Sequence, residues 1–499
     1  MSEGFQPRDI IGGKHRPIEG DSLVSTDPAY PDRVMWSGNP SLAHVDEATV
    51  AARAAFGPWA ALSMEERAEH LRRWRDVTRS HVDELANLIA REVGKPLAES
   101  RIEASALGGK VDLTLERTVA GRLDDWTAEA GAGREGRCRY RPHGVMAVIG
   151  PFNFPAHLPN GQFVPALLAG NTVVFKPSEF APAVGQKLGE MMLEAALPPG
   201  VFNVVQAGPE GSQRLCTSDD VNGILFTGSW PVGRMILEQN IDTPGRIVAL
   251  ELGGNNPAIV HEDADLRLAA IECVRASFAT TGQRCTCTRR IMVHERVAEQ
   301  FLSAFCKAAS TLLVGAHDDP VMPFMGPLVS ERARDRVLES QRQLVDSGGK
   351  VLVPAVELPR EGWFLSAGVV EVDGFDMEHD DEIFGPLVQI CVVSSLEEAI
   401  AQAKCTRYGL AASIFSKDRA VFDRCFAEIP AGCLNWNVGT AGASSRLPFG
   451  GVGQSGNHRP AAALAIDSCA YPVASLLQEG PEIEPPQGME WQDGWLGSS

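Results

Sequence analysis

At 499 residues, 44% hydrophobic and 22% charged, the chain is too long for one core, and two or three domains are expected. A formal net charge of −19 excludes the broad basic face that a nucleic-acid partner requires. No stretch approaches the roughly 18 apolar residues of a membrane span. The first twenty residues lack an apolar targeting segment, and the eleven cysteines show no C-x-x-C spacing, so free thiols in a reducing cytoplasm are expected and no metal site is read.

After a short N-terminal strand region, the first 120 residues read as largely helical. Ser63 and Glu66 have capping-box spacing ahead of a long amphipathic run to Arg91. Gly94 and Pro96 punctuate it, and a second helical run spans 97 to about 119. Between Asp124 and Arg141 the chain turns to Gly, Glu and Arg, with Cys138 and Tyr140 alternating, which predicts a protruding hairpin or connector. From Gly144, apolar strands at 145–149, 172–175, 201–205, 224–226 and 247–250 alternate with helical runs such as 183–196. This βαβ rhythm predicts a parallel sheet covered on both faces. A second α/β segment follows Pro257 and runs to about Gly451; from Glu479 a Pro-, Gly- and acid-rich tail has no core of its own.

Two glycine patterns, Gly131-x-Gly133-x-x-Gly136 and Gly451-x-Gly453-x-x-Gly456, match the dinucleotide fingerprint as text. Neither follows an apolar strand and opens a helix, so both are rejected. The better phosphate site is Phe226-Thr227-Gly228-Ser229-Trp230-Pro231-Val232-Gly233, where a strand ends in Gly-Ser and a helix starts near Pro231.

The chemistry centres on Thr280-Thr281-Gly282-Gln283-Arg284-Cys285-Thr286. A cation and exposed N–H groups at a turn favour a thiolate, which makes Cys285 a candidate nucleophile against the commoner role of a buried structural cysteine. Glu251 ends an apolar strand, where desolvation would raise a carboxyl toward the range of a general base. Asn153, between Pro151 and Pro155, is a fixed amide suited to an oxyanion. Lys176 and Glu179 follow the next strand, and a carboxylate there can hold ribose hydroxyls while repelling a 2′-phosphate. Each taken alone also reads as a turn residue or a solvated charge.

Together, Pro151-Phe152-Asn153-Phe154-Pro155, Lys176-Pro177-Ser178-Glu179, Phe226-Thr227-Gly228-Ser229, Glu251-Leu252-Gly253-Gly254, Gly282-Gln283-Arg284-Cys285, Glu382-Ile383-Phe384-Gly385-Pro386 and Pro448-Phe449-Gly450-Gly451 stand in an order that resembles the aldehyde dehydrogenase superfamily over nearly the whole chain. The resemblance implies an α/β fold: a Rossmann-like NAD-binding domain (1–123 and 143–251), an α/β catalytic domain (252–453), and an oligomerisation arm with a C-terminal tail (124–142 and 454–499, its strand near 456–476). It implies Cys285 as nucleophile, Glu251 as base for deacylation, and Asn153 with the Cys285 N–H as oxyanion donors. For NAD it implies Lys176 and Glu179 at the adenosine ribose, Gly228, Ser229 and Gly233 at the pyrophosphate, Glu382 at the nicotinamide ribose and Phe384 by the nicotinamide. A homodimer or homotetramer is implied as well.

A narrower resemblance is to the branch that oxidises a dicarboxylated semialdehyde in arginine catabolism. It rests on Arg141-Pro142-His143-Gly144-Val145, Phe154-Pro155-Ala156-His157-Leu158-Pro159-Asn160-Gly161, Gln283-Arg284-Cys285-Thr286-Cys287, Asn435-Trp436-Asn437 and Ser455-Gly456-Asn457-His458-Arg459-Pro460. Phe154, His157, Arg284, Thr286, Ser445, Arg446 and Phe449 are the expected substrate contacts, with Arg459 a further candidate that could brace the C-terminal turn. The branch usually carries a lysine and a threonine-rich step after Asn-Trp-Asn, where this chain has Val438-Gly439-Thr440-Ala441. A CoA-acylating dehydrogenase and a non-catalytic member are the rival readings; Glu251 counts against the first, and Cys285 with Glu251 against the second.

Overall fold

The computed structural model describes residues 6–131, 134–480 and 483–496. Strands Val145–Ile149, Thr172–Lys176, Phe202–Val204, Gly223–Thr227 and Ile247–Glu251 pair in parallel. In space they run fifth, fourth, first, second, third, so the order reverses between Val145–Ile149 and Gly223–Thr227. Such a reversal opens a crevice beyond the strands' C-terminal ends. The hairpin of Arg8–Ile11 and Lys14–Pro17 extends the sheet on the far side of Phe202–Val204.

These strands are apolar at successive positions because both faces are covered. Met146, Val148, Val173 and Phe175 share one core with helices Met64–Ser80, Leu97–Leu115 and His157–Ala169. Val145, Ala147, Ile149 and Val174 point the other way, into a core with helices Leu42–Ala60 and Pro209–Thr217. The second sheet runs Lys350–Val353, Gly368–Glu371, Leu387–Val393, Thr288–His294, Asn256–Val260, Ala411–Phe415, Cys433–Trp436, and only its first pair is antiparallel. The α/β class expected from the sequence is present in both sheets.

Several local expectations shift. The run to Arg91 is two helices, Met64–Ser80 and Val82–Val93, broken at His81, whose ring meets Glu84 and Glu194 at 2.7 and 2.8 Å. The capping box at its start forms, Ser63 Oγ accepting from Glu66 N at 3.2 Å and Glu66 Oε2 from Ser63 N at 2.7 Å. The 124–141 connector is a hairpin of Trp126–Glu129 and Glu135–Pro142. Its third strand is Ala470–Leu477 rather than 456–476, paired from Ala470 opposite Pro142 to Leu477 opposite Glu135. The chain before it is irregular, with Gly456, His458, Arg459 and Ala462 at positive φ and a helical turn at Ala465–Cys469.

That irregular stretch instead covers the outer edge of strand Ile247–Glu251. Leu252 N donates to Ser455 O (3.0 Å) and Asn457 N to Leu250 O (3.1 Å), while the Asn457 amide accepts from Leu250 N (2.8 Å) and donates to Val248 O (3.0 Å). The glycine pattern 451–456 therefore belongs to an edge cover, and Gly133 of the pattern 131–136 lies outside the described residues. Among the described residues no helix is long and apolar enough to cross a membrane.

Candidate active site

The loops leaving the first sheet at its reversal carry Asn153, Glu179, Gly228 and Ser229, and the edge strand ends on Glu251. Facing them is a turn from the second sheet's side. Helix Leu266–Phe278 gives way to Thr280 and Thr281 at φ 52° and 57°, then Gly282 at φ 70°. A Cβ at 282 would stand 2.1 Å from the Gly385 carbonyl oxygen, so only glycine fits. Left-handed threonines cost about 1–3 kcal/mol each and persist only when held. Thr280 Oγ1 donates to Glu99 Oε2 (2.5 Å) and Thr281 Oγ1 to Gly326 O (3.0 Å).

This turn delivers Cys285, half-buried, to the crevice floor. Asn153 Nδ2 donates to Gln283 O at 2.8 Å, which leaves its second hydrogen beside the cysteine loop. Asn256 Nδ2 donates to the carbonyls of both Cys285 and Cys287, at 2.7 and 2.8 Å, and its Oδ1 accepts from Ala411 N at 3.0 Å. Glu251 is 5% exposed, and its Oε1 is buried with no partner among the described residues. Thr286 is buried beside them.

The electrostatics revise one expectation. Arg284 does not serve the thiol: its guanidinium pairs with Glu99 (3.3 Å), bonds Thr280 Oγ1 (2.7 Å) and lies over the Phe154 ring. Burial, then the carboxyls of Glu251 and Glu382, push the Cys285 thiol above its ordinary range; Arg289 is the cation that opposes them. Burial also pushes Glu251 well above the ordinary carboxyl range, with Arg459 opposing. Burial thus disfavours the charged form of both groups, thiolate and carboxylate alike.

A groove runs from this floor along the sheet reversal. Glu382, raised by burial to about 7, accepts from Gly254 N at 3.1 Å. A Cβ on Gly253 would stand 1.8 Å from its Oε2, so that glycine makes room for the carboxyl. Phe384, Phe152 and Phe180 follow in edge-to-face contact, with centroids 5.9 and 5.7 Å apart. Lys176 Nζ then bonds Glu179 Oε2 at 3.1 Å. Burial would raise Glu179, but the Lys176 ammonium and a backbone hydrogen bond together outweigh it and hold the carboxylate low. Ser229 caps helix Trp230–Gln239 without spending its side chain on a cap bond, so the hydroxyl and the first-turn N–H groups remain for an anion. Gly233, at the fourth position, lets the helix pack on Leu252, which a Cβ would approach to 2.9 Å.

The expected substrate contacts scatter. Phe154 and Ser445 are half-buried at the mouth, and Phe449 sits in the short strand Pro448–Phe449 paired with Ala461–Ala462. His157 is near them, but burial, then Lys110 and Lys95, lower it to about 3, so it is neutral. Arg446 is largely exposed and forks onto Glu116 at 2.7 and 2.8 Å, so its charge is already matched. Arg459 abuts the Gly450 turn, as a brace would.

The sequence pattern of the Aldehyde dehydrogenase family matches residues 18–472. The chain belongs to the aldehyde dehydrogenase family. Relatives of this aldehyde dehydrogenase include N-succinylglutamate 5-semialdehyde dehydrogenase of Novosphingobium aromaticivorans, 43% identical over 459 residues (92% of this chain, 97% of the relative). The enzyme of the same name from Escherichia coli is 43% identical over 460 residues (92% and 93%). Among solved structures, PnpE from Pseudomonas sp. WBC-3 is 32% identical over 97% of this chain and all of its own, with TM-scores of 0.88 and, in complex with nicotinamide adenine dinucleotide, 0.90.

Three polar groups of this aldehyde dehydrogenase's site escape a reading by motif. Asn256 opens a buried strand, Arg289 lies inside another and reaches Gly385 O (3.1 Å) and Arg284 O (3.0 Å), and Lys110 projects from helix Leu97–Leu115. For Asn256 a signal existed: an amide at the head of an otherwise apolar strand. Its loss would leave buried carbonyls unpaired, at about 1–3 kcal/mol each.

Proposed function

We propose that the chain oxidises N-succinyl-L-glutamate 5-semialdehyde to N-succinyl-L-glutamate with NAD, through a thioester on Cys285. What carries this reading is the convergence of Cys285, Asn153 and Glu251 from two separate sheets in a chain 43% identical to relatives of that name over 92% of its length. The Cys285 thiol gives its proton to the Glu251 carboxylate, whose Oε1 has no partner among the described residues, the sulfur adds to the aldehyde carbon, and Glu251 passes that proton on to solvent before deacylation. The spare N–H of Asn153 and the Cys285 N–H hold the resulting oxyanion. When bound, the dinucleotide supplies the hydride acceptor that converts the adduct to a thioester. Glu251 then takes a proton from water, whose hydroxide attacks the thioester carbonyl and expels the thiolate as the acid leaves.

The groove suits a dinucleotide: an uncapped helix N-terminus for its pyrophosphate at Gly228 and Ser229, Lys176 and Glu179 for the adenosine ribose, and Glu382 with Phe384 for the nicotinamide half. Glu179, kept ionised by Lys176, would repel a 2′-phosphate. NAD is therefore expected to exceed NADP in kcat/KM, and Glu179→Gln to narrow that ratio. Equal kcat/KM for the two cofactors in the unaltered enzyme overturns this assignment.

The substrate is tested by NADH formation against a panel of aldehydes. A hydrogen bond to a charged group contributes about 1.5–3 kcal/mol, so losing one carboxylate contact should lower kcat/KM roughly 10- to 150-fold. Glutamate 5-semialdehyde and propanal are expected to be poor substrates. A neutral aliphatic aldehyde turned over as well as the succinylated one would make Val438–Gly439–Thr440–Ala441 the mark of a changed specificity.

The three-stranded sheet of Trp126–Glu129, Glu135–Pro142 and Ala470–Leu477 is mostly exposed and has no core of its own, which supports its use as an arm onto a second copy in a homodimer or homotetramer. All eleven cysteines are free, in keeping with a reducing cytoplasm.

A further inference from the structure

Four cations surround the mouth, and they are not equivalent. Lys95 pairs with Glu103, Arg284 with Glu99 and Arg446 with Glu116. Lys110 alone has no carboxylate within ion-pair distance among the described residues. The residue is 7% exposed, and among the described residues its ammonium makes one hydrogen bond, from Nζ to Ser445 Oγ at 3.3 Å. A buried ammonium without a counter-charge is costly, and here burial lowers it to about 8, so it is still mostly charged at neutral pH.

The surroundings are shaped around it. Gly161, on the facing helix His157–Ala169, would place a Cβ 3.0 Å from Lys110 Cε, so the missing side chain is the space the lysine occupies. One turn earlier, His157 is held by Glu103 Oε1, which accepts the N–H groups of Ala156 and His157 at 3.0 and 3.1 Å. The His157 Nδ1 is buried with no partner among the described residues. A neutral imidazole can present that nitrogen as a donor. The loop that supplies Ser445 continues five residues to Gly450, where a Cβ would lie 2.5 Å from Glu251 Oε1. Five residues reach at most about 18 Å, so the ammonium and the reacting floor lie at the two ends of one short segment.

We propose that Lys110, flanked by Ser445 and His157, is the specificity residue that receives a carboxylate of the substrate remote from the aldehyde. The inference rests on the reading of the substrate as a carboxylated semialdehyde. The approaching carboxylate supplies the counter-charge that the fold withholds, and Ser445 Oγ and His157 Nδ1 supply hydrogen bonds to its oxygens. A neutral aldehyde brings no such group and gains nothing from the site.

The test compares the unaltered enzyme with Lys110→Met and Lys110→Gln. The ratio of kcat/KM for N-succinylglutamate 5-semialdehyde to that for propanal is expected to fall roughly 10- to 150-fold in both variants. Equilibrium binding of the product, N-succinylglutamate, should weaken by a similar factor. An unchanged ratio in an enzyme that prefers the succinylated substrate overturns the role of Lys110 and leaves the substrate assignment standing. Preference for another carboxylated aldehyde, lost in both variants, overturns the substrate assignment and upholds Lys110. Preference for uncarboxylated aldehydes, with the ratio unmoved by the variants, overturns both.

Discussion

Cys285→Ala is expected to abolish aldehyde oxidation, by a factor on the order of 10⁴–10⁶, while NAD binding changes little. The size follows from the chemistry proposed. Without the sulfur no covalent adduct forms, and water alone must attack a carbonyl whose oxyanion donors are positioned for a thiohemiacetal. Binding survives because no residue of the groove depends on the thiol. Lys176 and Glu179 bond each other, and Asn153 is held by the Gln283 carbonyl rather than by the sulfur. Fluorescence titration with NADH and a turnover assay on one preparation separate the two effects. Near-normal turnover would transfer the nucleophile's role to another group.

Glu251→Gln should give a burst of NADH equal to the enzyme concentration and then slow turnover, since a base for water is needed only after hydride has left. Glutamine keeps the shape and leaves the backbone bonds of Leu250 and Leu252 to Asn457 and Ser455 in place. The pH profile adds a second readout. A base acts when ionised, and burial raises Glu251 above the ordinary carboxyl range, so deacylation should fall as pH drops through a correspondingly raised value. Burial also raises Glu382, to about 7, and the Glu251→Gln variant is the control that separates the two carboxyls. Slow turnover with no burst would move Glu251 to the first half-reaction.

The strands were legible because a parallel sheet buried on both faces writes itself as unbroken apolar runs, and Val145–Ile149 is a case in point. Ser63 and Glu66 were legible because a capping box is a local bond. The break at His81 was not: both flanking segments have the same helical period, and only the chain's path past Glu194 decides the bend. Arg284 misled because sequence adjacency says nothing about direction. It sits next to Cys285 in the chain and faces Glu99 in space, whereas Arg289, four residues after Cys285, is the cation that acts on the thiol. Lys110 was hidden for a related reason. A lysine on a helix ordinarily reads as solvated, and helix Leu97–Leu115 is buried around so much of its circumference that no apolar stripe marks the inner face.

The cover that Ser455 and Asn457 lay over the edge of strand Ile247–Glu251 has a consequence for biosynthesis. Cys285 is made before the strand bearing Glu251 gains its outer hydrogen bonds, which must wait for Ser455 and Asn457, roughly 170 residues after the thiol. At 5–20 residues per second that interval is about 10–30 s. During it the nascent chain carries a reactive group without the completed edge that fixes its base. Chemistry therefore waits for Ser455 and Asn457, and a message interrupted before them yields a fragment that carries Cys285 and Glu251 without the edge that fixes the base.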